Sequence, residues 1–568
     1  MLLTPLTARA ATGSAAVDTW YVVAAGACTF NGDGLASTCA ASGGASGAFL
    51  GDATFSNLIW TNTTGIDDGD TLCIIGKHRG TLSPGNSGTV AAPITINLKC
   101  NGVTVGTITG ANIESSWTGP DGNGNYTSGS SYTTPTWVLV DGVAARHGSS
   151  AAALTAGQWY FTGTTVLYRG SPTGKVIEIA VRGVAIDGSA STSSNLIITG
   201  GPASSTGVGA TSGNGRIEAT RLIASKGGIT FNDCSNISVT GVVFYAHRGA
   251  LDYRGSCTNA SGLDSNYQVS APSNITYERN RVSSTALGGT DNFLTNVETT
   301  HSFAFDRECI ASTFAGNNIV ARFNEVSDCS SGINFLPDTA VSGYEIVSNY
   351  VHETGLSGVL ITNSTNAAIT ASLIAGNRIE NIALASLCGA YGIVHTGATA
   401  GPGSYVAIVN NTIINAGSSM NINGTSTGNS TGPVMNNVSI QPSCASPNYH
   451  INMANWTNQS AAFINGNVYY HTGTSFWRSN IRNLSVYATY QSDITPQENA
   501  SLNTDPLVIS RVAPFNLKSQ PTSPLRRAGK ATGLCRELRG RVCYPDRPDI
   551  GAYQSTSGDL AAPRTARQ

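Results

Sequence analysis

Short apolar runs broken by glycine and asparagine recur along this chain, and set beneath one another they fall into phase. NITYERNRV, NNIVARFNEV, GYEIVSNYV, ASLIAGNRI and SYVAIVNNTI each carry an Asn followed two residues later by Val or Ile. These are Asn280, Asn324, Asn349, Asn377 and Asn411. The last four lie between two and three dozen residues apart, and the wider first interval leaves room for two coils. A second short strand follows the Asn strand in GINFL from Gly332, GVLIT from Gly358 and GIVHT from Gly392. Alternation at a period of two predicts strands, helical periodicity is nearly absent, and a repeat of twenty-odd residues predicts a β-solenoid. Coils stacked at about 4.8 Å would bring like positions into ladders. Asn tolerates the left-handed turn conformation and hydrogen-bonds its neighbours, so the five asparagines are expected to be structural. Ile319, Val326, Ile346 and Val351 are expected to fill the bore. Past about residue 430 the period is expected to fade into a segment rich in Asn and aromatics.

Composition removes several alternatives. Charged residues make up 11% of the 568 residues, less than half the average for soluble proteins. Disorder is excluded by 40% hydrophobic content in repeated Ile/Val/Leu runs. A formal charge of −2 offers no basic field for nucleic acid, and no apolar run is long enough to span a membrane. A neutral partner such as polysaccharide fits better. Twelve cysteines, an even number, predict at least three disulfides and an extracellular setting. Cys309 and Cys329 form the best candidate pair, because one coil would stack them. The N-terminal MLLTPLTARAATGSAAV lacks a basic region and a long apolar stretch, so no conventional signal peptide is expected. An exported surface without one points to a virion protein released by lysis.

TWYVVAAGACTFNGDG, GDTLCIIGKHRGTL and GTVAAPITI near the N-terminus, with RPDIGAYQ near the C-terminus, resemble the ends of right-handed parallel β-helix proteins of the pectate-lyase-like superfamily. Gln554 replaces the usual closing Glu of that motif. The resemblance implies an all-β right-handed parallel β-helix, as in polysaccharide lyases, glycoside hydrolases, phage tailspikes and non-catalytic adhesins. The expected layout is an N-terminal region with the first coils at 1–114, a small β-rich insertion at 115–185, the main helix at 186–430, and C-terminal coils with a closing segment at 431–568. Trp159 and Tyr160 of the insertion are expected in its core. Tailspike-like members also imply a homotrimer.

Fold does not imply function, so the chemistry must come from residues. Elimination would need a base, commonly Lys or Arg in this superfamily, yet no lysine lies between Lys226 and Lys518. Arg279, Arg281, Arg307, Arg322 and Arg378 remain as bases. Hydrolysis needs two carboxylates, and seven acids crowd residues 306–353. Counting four residues on from the ladder position gives Asp328 and Glu353, and also Glu308 if Ala304 occupies the equivalent place. These three form the expected catalytic column, with one carboxyl as general acid and another as base or nucleophile. Arg307 and His352 are its expected charge partners, and Tyr350, Arg322 and Asn334 are expected to orient the sugar. No cofactor is expected, although the same oxygens would suit calcium. The leading expectation is a virion-associated or secreted protein that binds cell-surface polysaccharide and hydrolyses it. Competing with it are a non-catalytic virion fibre or decoration and a secreted bacterial polysaccharide lyase.

Overall fold

The computed structural model describes residues 17–552, except 221–227, 255–272, 284–307, 383–389, 397–404, 424–431, 441–448, 454–463, 494–499, 530–548 and gaps of five residues or fewer. The chain divides into two compact units. One comprises Met1–Pro202, Ala210–Thr276 and Ser284–Gly289, the other Ala203–Gly209, Tyr277–Ser283 and Thr290–Gln568. The fold class is the expected one, an all-β parallel β-helix in which successive coils contribute strands to parallel sheets.

In the first unit, Thr71–His78, Ile94–Asn97, Leu196–Thr199 and Ser235–Thr240 run in parallel. Their register stacks Leu72, Ile96, Ile198 and Val239, all fully buried. Residues 111–180 interrupt the coils with two four-stranded antiparallel sheets, around a core of Val138, Trp159, Val166, Tyr168, Ile177 and Ile179. Trp159 is a core residue, as expected. Glu178 of this insertion, 1% exposed, takes Lys77 and Arg79 at 2.6 Å each, and Lys77 also meets Glu218 at 2.6 Å. A buried acid with two cations is neutralised, so these charges tie the insertion to the coil.

Three long parallel stacks run through the described residues of the second unit. Asn317–Arg322, Glu345–Val347, Ser372–Ala375 and Val406–Val409 stack in the first. Arg281–Ser283, Glu325–Ser327, Tyr350–Thr354, Arg378–Ile382, Thr412–Ala416, Val438–Ile440 and Val468–Tyr470 stack in the second. Glu308–Thr313, Ser331–Leu336, Ser357–Thr362, Tyr391–Thr396 and Ser418–Asn423 stack in the third. Between the first two sheets runs the asparagine ladder, every member fully buried. Asn377 shows the pattern. Its Nδ2 donates to Asn411 Oδ1 at 2.9 Å and to Ile346 O at 2.8 Å, while its Oδ1 accepts from Asn349 N at 2.9 Å and Asn349 Nδ2 at 3.0 Å. Asn is short enough for the corner and carries both donors and acceptors, so buried turn backbone is satisfied coil after coil.

Two expectations about this ladder need correcting. Asn280 donates directly to Asn324 Oδ1 at 3.1 Å, and Arg281 pairs with Glu325. The interval therefore holds one coil, not two. Nor does the period fade at 430, because Asn437 and Asn467 continue the ladder and Ser501 Oγ closes it by accepting from Asn467 N at 2.8 Å. Where the inward residues become Tyr469 and Trp477, the helix Tyr487–Asp493 packs Tyr490 against Trp477 at 6.1 Å between ring centroids. Val508, Leu525 and Ile550 cover the outward residues Ile414, Val438, Ile440 and Val468. Within RPDIGAYQ, Gly551 has φ 96°, and a Cβ there would stand 2.6 Å from Thr412 Oγ1; only glycine fits.

Among the described residues three disulfides staple the chain: Cys28–Cys39, Cys73–Cys100 and Cys309–Cys329, with Cα separations of 5.3, 5.6 and 5.7 Å. The Cys309–Cys329 pair is the one expected. No helix among the described residues is long and apolar enough to cross a membrane.

Burial holds His78 and His395 down at about 4 and His450 at about 3. All three are neutral when folded, whereas the unfolded chain takes up their protons below about pH 6.5. Stability is therefore expected to fall as pH drops from 6.5 towards 4. Thermal unfolding across that range measures it, and His450→Phe should flatten the slope. A midpoint independent of pH over this window would contradict the assignment.

Candidate functional site

Alternation fixes which side chains of the second sheet face outward. Two residues after each ladder Asn stand Val282, Val326, Val351, Ile379 and Ile413, all fully buried in the bore. The residues one and three places after the Asn point the other way. Read through the register, the first outward column is Arg281, Glu325, Tyr350, Arg378 and Thr412, and the second is Ser283, Ser327, His352, Glu380 and Ile414. Both columns are polar until the C-terminal segment covers the sheet, where Val438 and Ile440 take over. Chemistry is thus concentrated on the coils that the segment leaves uncovered.

These side chains form a continuous network. Arg281 Nη2 binds Glu325 Oε1 at 2.8 Å. His352 sits between two carboxylates, with Nε2 3.8 Å from Glu325 Oε1 and Nδ1 in contact with Glu353 Oε2. The imidazole stacks on Tyr350 with centroids 4.3 Å apart. Tyr350 donates its hydroxyl to Glu380 Oε1, and Arg378 grips Glu380 Oε2 at 2.7 Å while lying 4.5 Å from the Tyr350 ring. Val208 and Ala552 pack against Tyr350 at the margin.

Glu353 departs from the pattern of its neighbours. It occupies a left-handed position, φ 48°, in a column shared with Asn381 at 54° and Asn415 at 55°. Asn415 Nδ2 donates to Asn381 Oδ1 at 2.7 Å, and Asn381 Nδ2 donates to Glu353 Oε1 at 2.8 Å. Asn visits this conformation readily, whereas a longer side chain is strained there. Such strain persists at functional sites. With its side chain 32% exposed, Glu353 is also the most accessible acid of the network.

Electrostatics fix the proton's position. Burial alone would lower His352, but the flanking Glu325 and Glu353 outweigh it and lift its pKa to about 9. Burial would raise both acids, yet His352 with Arg281 holds Glu325 below the usual carboxylate range, and His352 with Asn381 does the same for Glu353. Burial and Glu380 push the Tyr350 hydroxyl well above its usual value. Near neutrality the site thus holds an imidazolium between two carboxylates. Within this network Arg281, Arg378 and His352 balance Glu325, Glu353 and Glu380. No group of three or more metal-ligating side chains occurs among the described residues.

Of the residues expected to act together, Tyr350, His352 and Glu353 do meet. Glu308 opens a strand of the third sheet in register with Ser331 and Ser357, so the expected three-acid column does not run through it; the single-coil interval after Asn280 is the cause. Asn334 also lies on the third sheet. Arg322 lies on the first sheet, across the Asn324 corner, where its Nη2 binds Glu278 at 2.7 Å. Arg307 and Asp328 lie outside the described residues. Glu325, Arg281, Arg378 and Glu380 were not expected as a group, although counting one and three places from the ladder Asn finds each of them.

No protein-family model matches the sequence, and no curated protein matches it. Among solved structures the chain is similar to XylC in complex with xylose, at 12% identity and a TM-score of 0.40, over 80% of this chain and 69% of that one. It is similar to a glycoside hydrolase at 10% identity and a TM-score of 0.37, over 71% and 89%. It is also similar to the GH136 lacto-N-biosidase from Eubacterium ramulus at 12% identity and a TM-score of 0.32, over 81% and 65%.

Proposed function

We propose that the outward face of the second sheet binds a polysaccharide and hydrolyses it at Glu353, the most accessible acid of the network. The carrying observation is the His352 ring set between the carboxylates of Glu325 and Glu353 on a polar outward face. Rungs about 4.8 Å apart offer a chain-like ligand repeated contacts. In the reaction, Glu353 takes a proton from water as the water oxygen bonds to the anomeric carbon. The glycosidic C–O bond breaks and the departing oxygen takes a proton from solvent, while His352 stays bonded to Glu353 and keeps it ionised. Glu325 keeps His352 charged, and Tyr350 fixes the plane of its ring.

Three disulfides fit maturation in an oxidising compartment, which supports a secreted or surface setting. The finer reading is a tailspike-like depolymerase on a virion surface, assembled as a trimer. Light scattering at micromolar concentration should give three times the chain mass, and a monomer mass would reject the trimer.

The function is tested by incubating the chain with purified capsular polysaccharide and lipopolysaccharide in H2(18)O and weighing the products. Hydrolysis is expected to leave one labelled oxygen per cleavage. The rate should fall on the alkaline side near pH 9, as His352 loses its proton and Glu353 the charged partner that holds it in place. Unsaturated, unlabelled products would replace this reading with elimination, and intact polymer throughout would leave the face a binding surface only.

A further inference from the structure

The β-rich insertion of the first unit holds a cavity of about 360 Å³ that the proposed chemistry does not use. Asn112, Ile113, Ser131, Tyr132, Thr133 and Val181 line it, together with Ser130, and none of these is charged. One wall is Ala111–Ile113, the edge strand of its four-stranded sheet, which leaves one row of backbone groups without a sheet partner. The opposite wall is fixed from behind. Glu114, 4% exposed, accepts from Ser116 N at 2.8 Å, Ser130 N at 3.1 Å and the Tyr132 hydroxyl at 2.6 Å. The Tyr132 ring is thereby anchored through its hydroxyl. Arg182 Nη1 donates to Asn112 Oδ1 at 2.8 Å, which orients the amide so that its NH2 remains as a donor. Ile113 is 49% exposed beside these polar groups.

We infer that this cavity is a second saccharide site, specific for neutral sugars and separate from the cleavage face. Small-molecule sites are preformed hollows of about 300–1,000 Å³ in which a few fixed polar groups set orientation, and this volume suits one or two sugar rings. Amide, hydroxyls and one clamped aromatic ring match the alternating hydroxyl edges and apolar faces of a pyranose. The absence of any lining charge disfavours phosphate or uronate, which would be recognised by charge-assisted hydrogen bonds.

The test uses the full chain and saturation-transfer NMR with galactose, N-acetylglucosamine and lactose, with glucuronate for comparison. Saturation is expected on at least one neutral sugar and not on glucuronate. Ser131→Trp, which fills the mouth from an exposed position, should abolish it, and Asn112→Ala should weaken it about tenfold. Ser131→Trp should leave the rate of polysaccharide cleavage unchanged, so a failure of the cleavage reading is seen separately. No transfer to any neutral sugar at millimolar concentration, or transfer that survives Ser131→Trp in a protein with unchanged unfolding temperature, overturns the proposal.

Discussion

Glu353→Gln and Glu353→Asn are both expected to lose about 10²–10⁴-fold in cleavage rate, yet to differ from each other in stability. Both remove the carboxylate that takes the proton from water. Only Asn, however, suits the left-handed backbone that Asn381 and Asn415 already adopt in the same column. A non-Gly, non-Asn residue in that conformation costs about 1–2 kcal/mol. The Asn variant should therefore exceed the Gln variant by about 1 kcal/mol in urea unfolding, because both have lost the same ion pair with His352. Comparing the two variants rather than each with the native chain cancels that loss. Retention of a tenth or more of the native rate in Glu353→Gln would remove Glu353 from the chemistry. Equal stability of the two variants would show that the backbone there is not strained.

The largest effect on folding is expected at Asn377. Truncation to Ala removes an amide that makes four hydrogen bonds inside the ladder. It leaves the Asn349 N–H, the Ile346 carbonyl and the Asn411 Oδ1 each short of a partner in a fully buried corner. Stranded buried groups cost about 1–3 kcal/mol each, so a total loss of about 3–6 kcal/mol is expected. Asn377→Asp keeps the acceptor but loses the donor and buries a charge, so it should be no better near neutrality. Denaturant unfolding followed by far-ultraviolet circular dichroism gives the number. A loss below about 1 kcal/mol for the Ala variant would mean that the corner finds other partners.

The ladder was legible in the sequence because few side chains can do its work, so Asn recurs wherever the corner recurs. It was lost after Asn411 for an equally physical reason. The signal sought was Asn followed two residues later by Val or Ile, and that inward place becomes Ser439 and then Tyr469 where His450 and Trp477 enter the bore. The site was only half legible. Tyr350, His352 and Glu353 are consecutive or nearly so and travel together under any phase. The remaining partners depend on the phase of alternation, and a count of four from the Asn selects the left-handed column rather than the outward ones. Glu308 failed for a different reason, since one coil of unusual length imitates two. Sequence spacing measures chain length and does not count turns of the helix.

The outward columns on the uncovered coils have a further consequence, for the way such a molecule can change. The ladder and the bore set the backbone, and neither uses the residues one and three places beyond each Asn. Linked sets among Arg281, Glu325, Tyr350, His352, Arg378 and Glu380 can therefore be exchanged together for another chemistry while Val326, Val351 and Ile379 keep the coil in place. Recognition in this architecture behaves as a cassette, rewritten by groups of linked side chains on neighbouring rungs while the bore and ladder stay as they are.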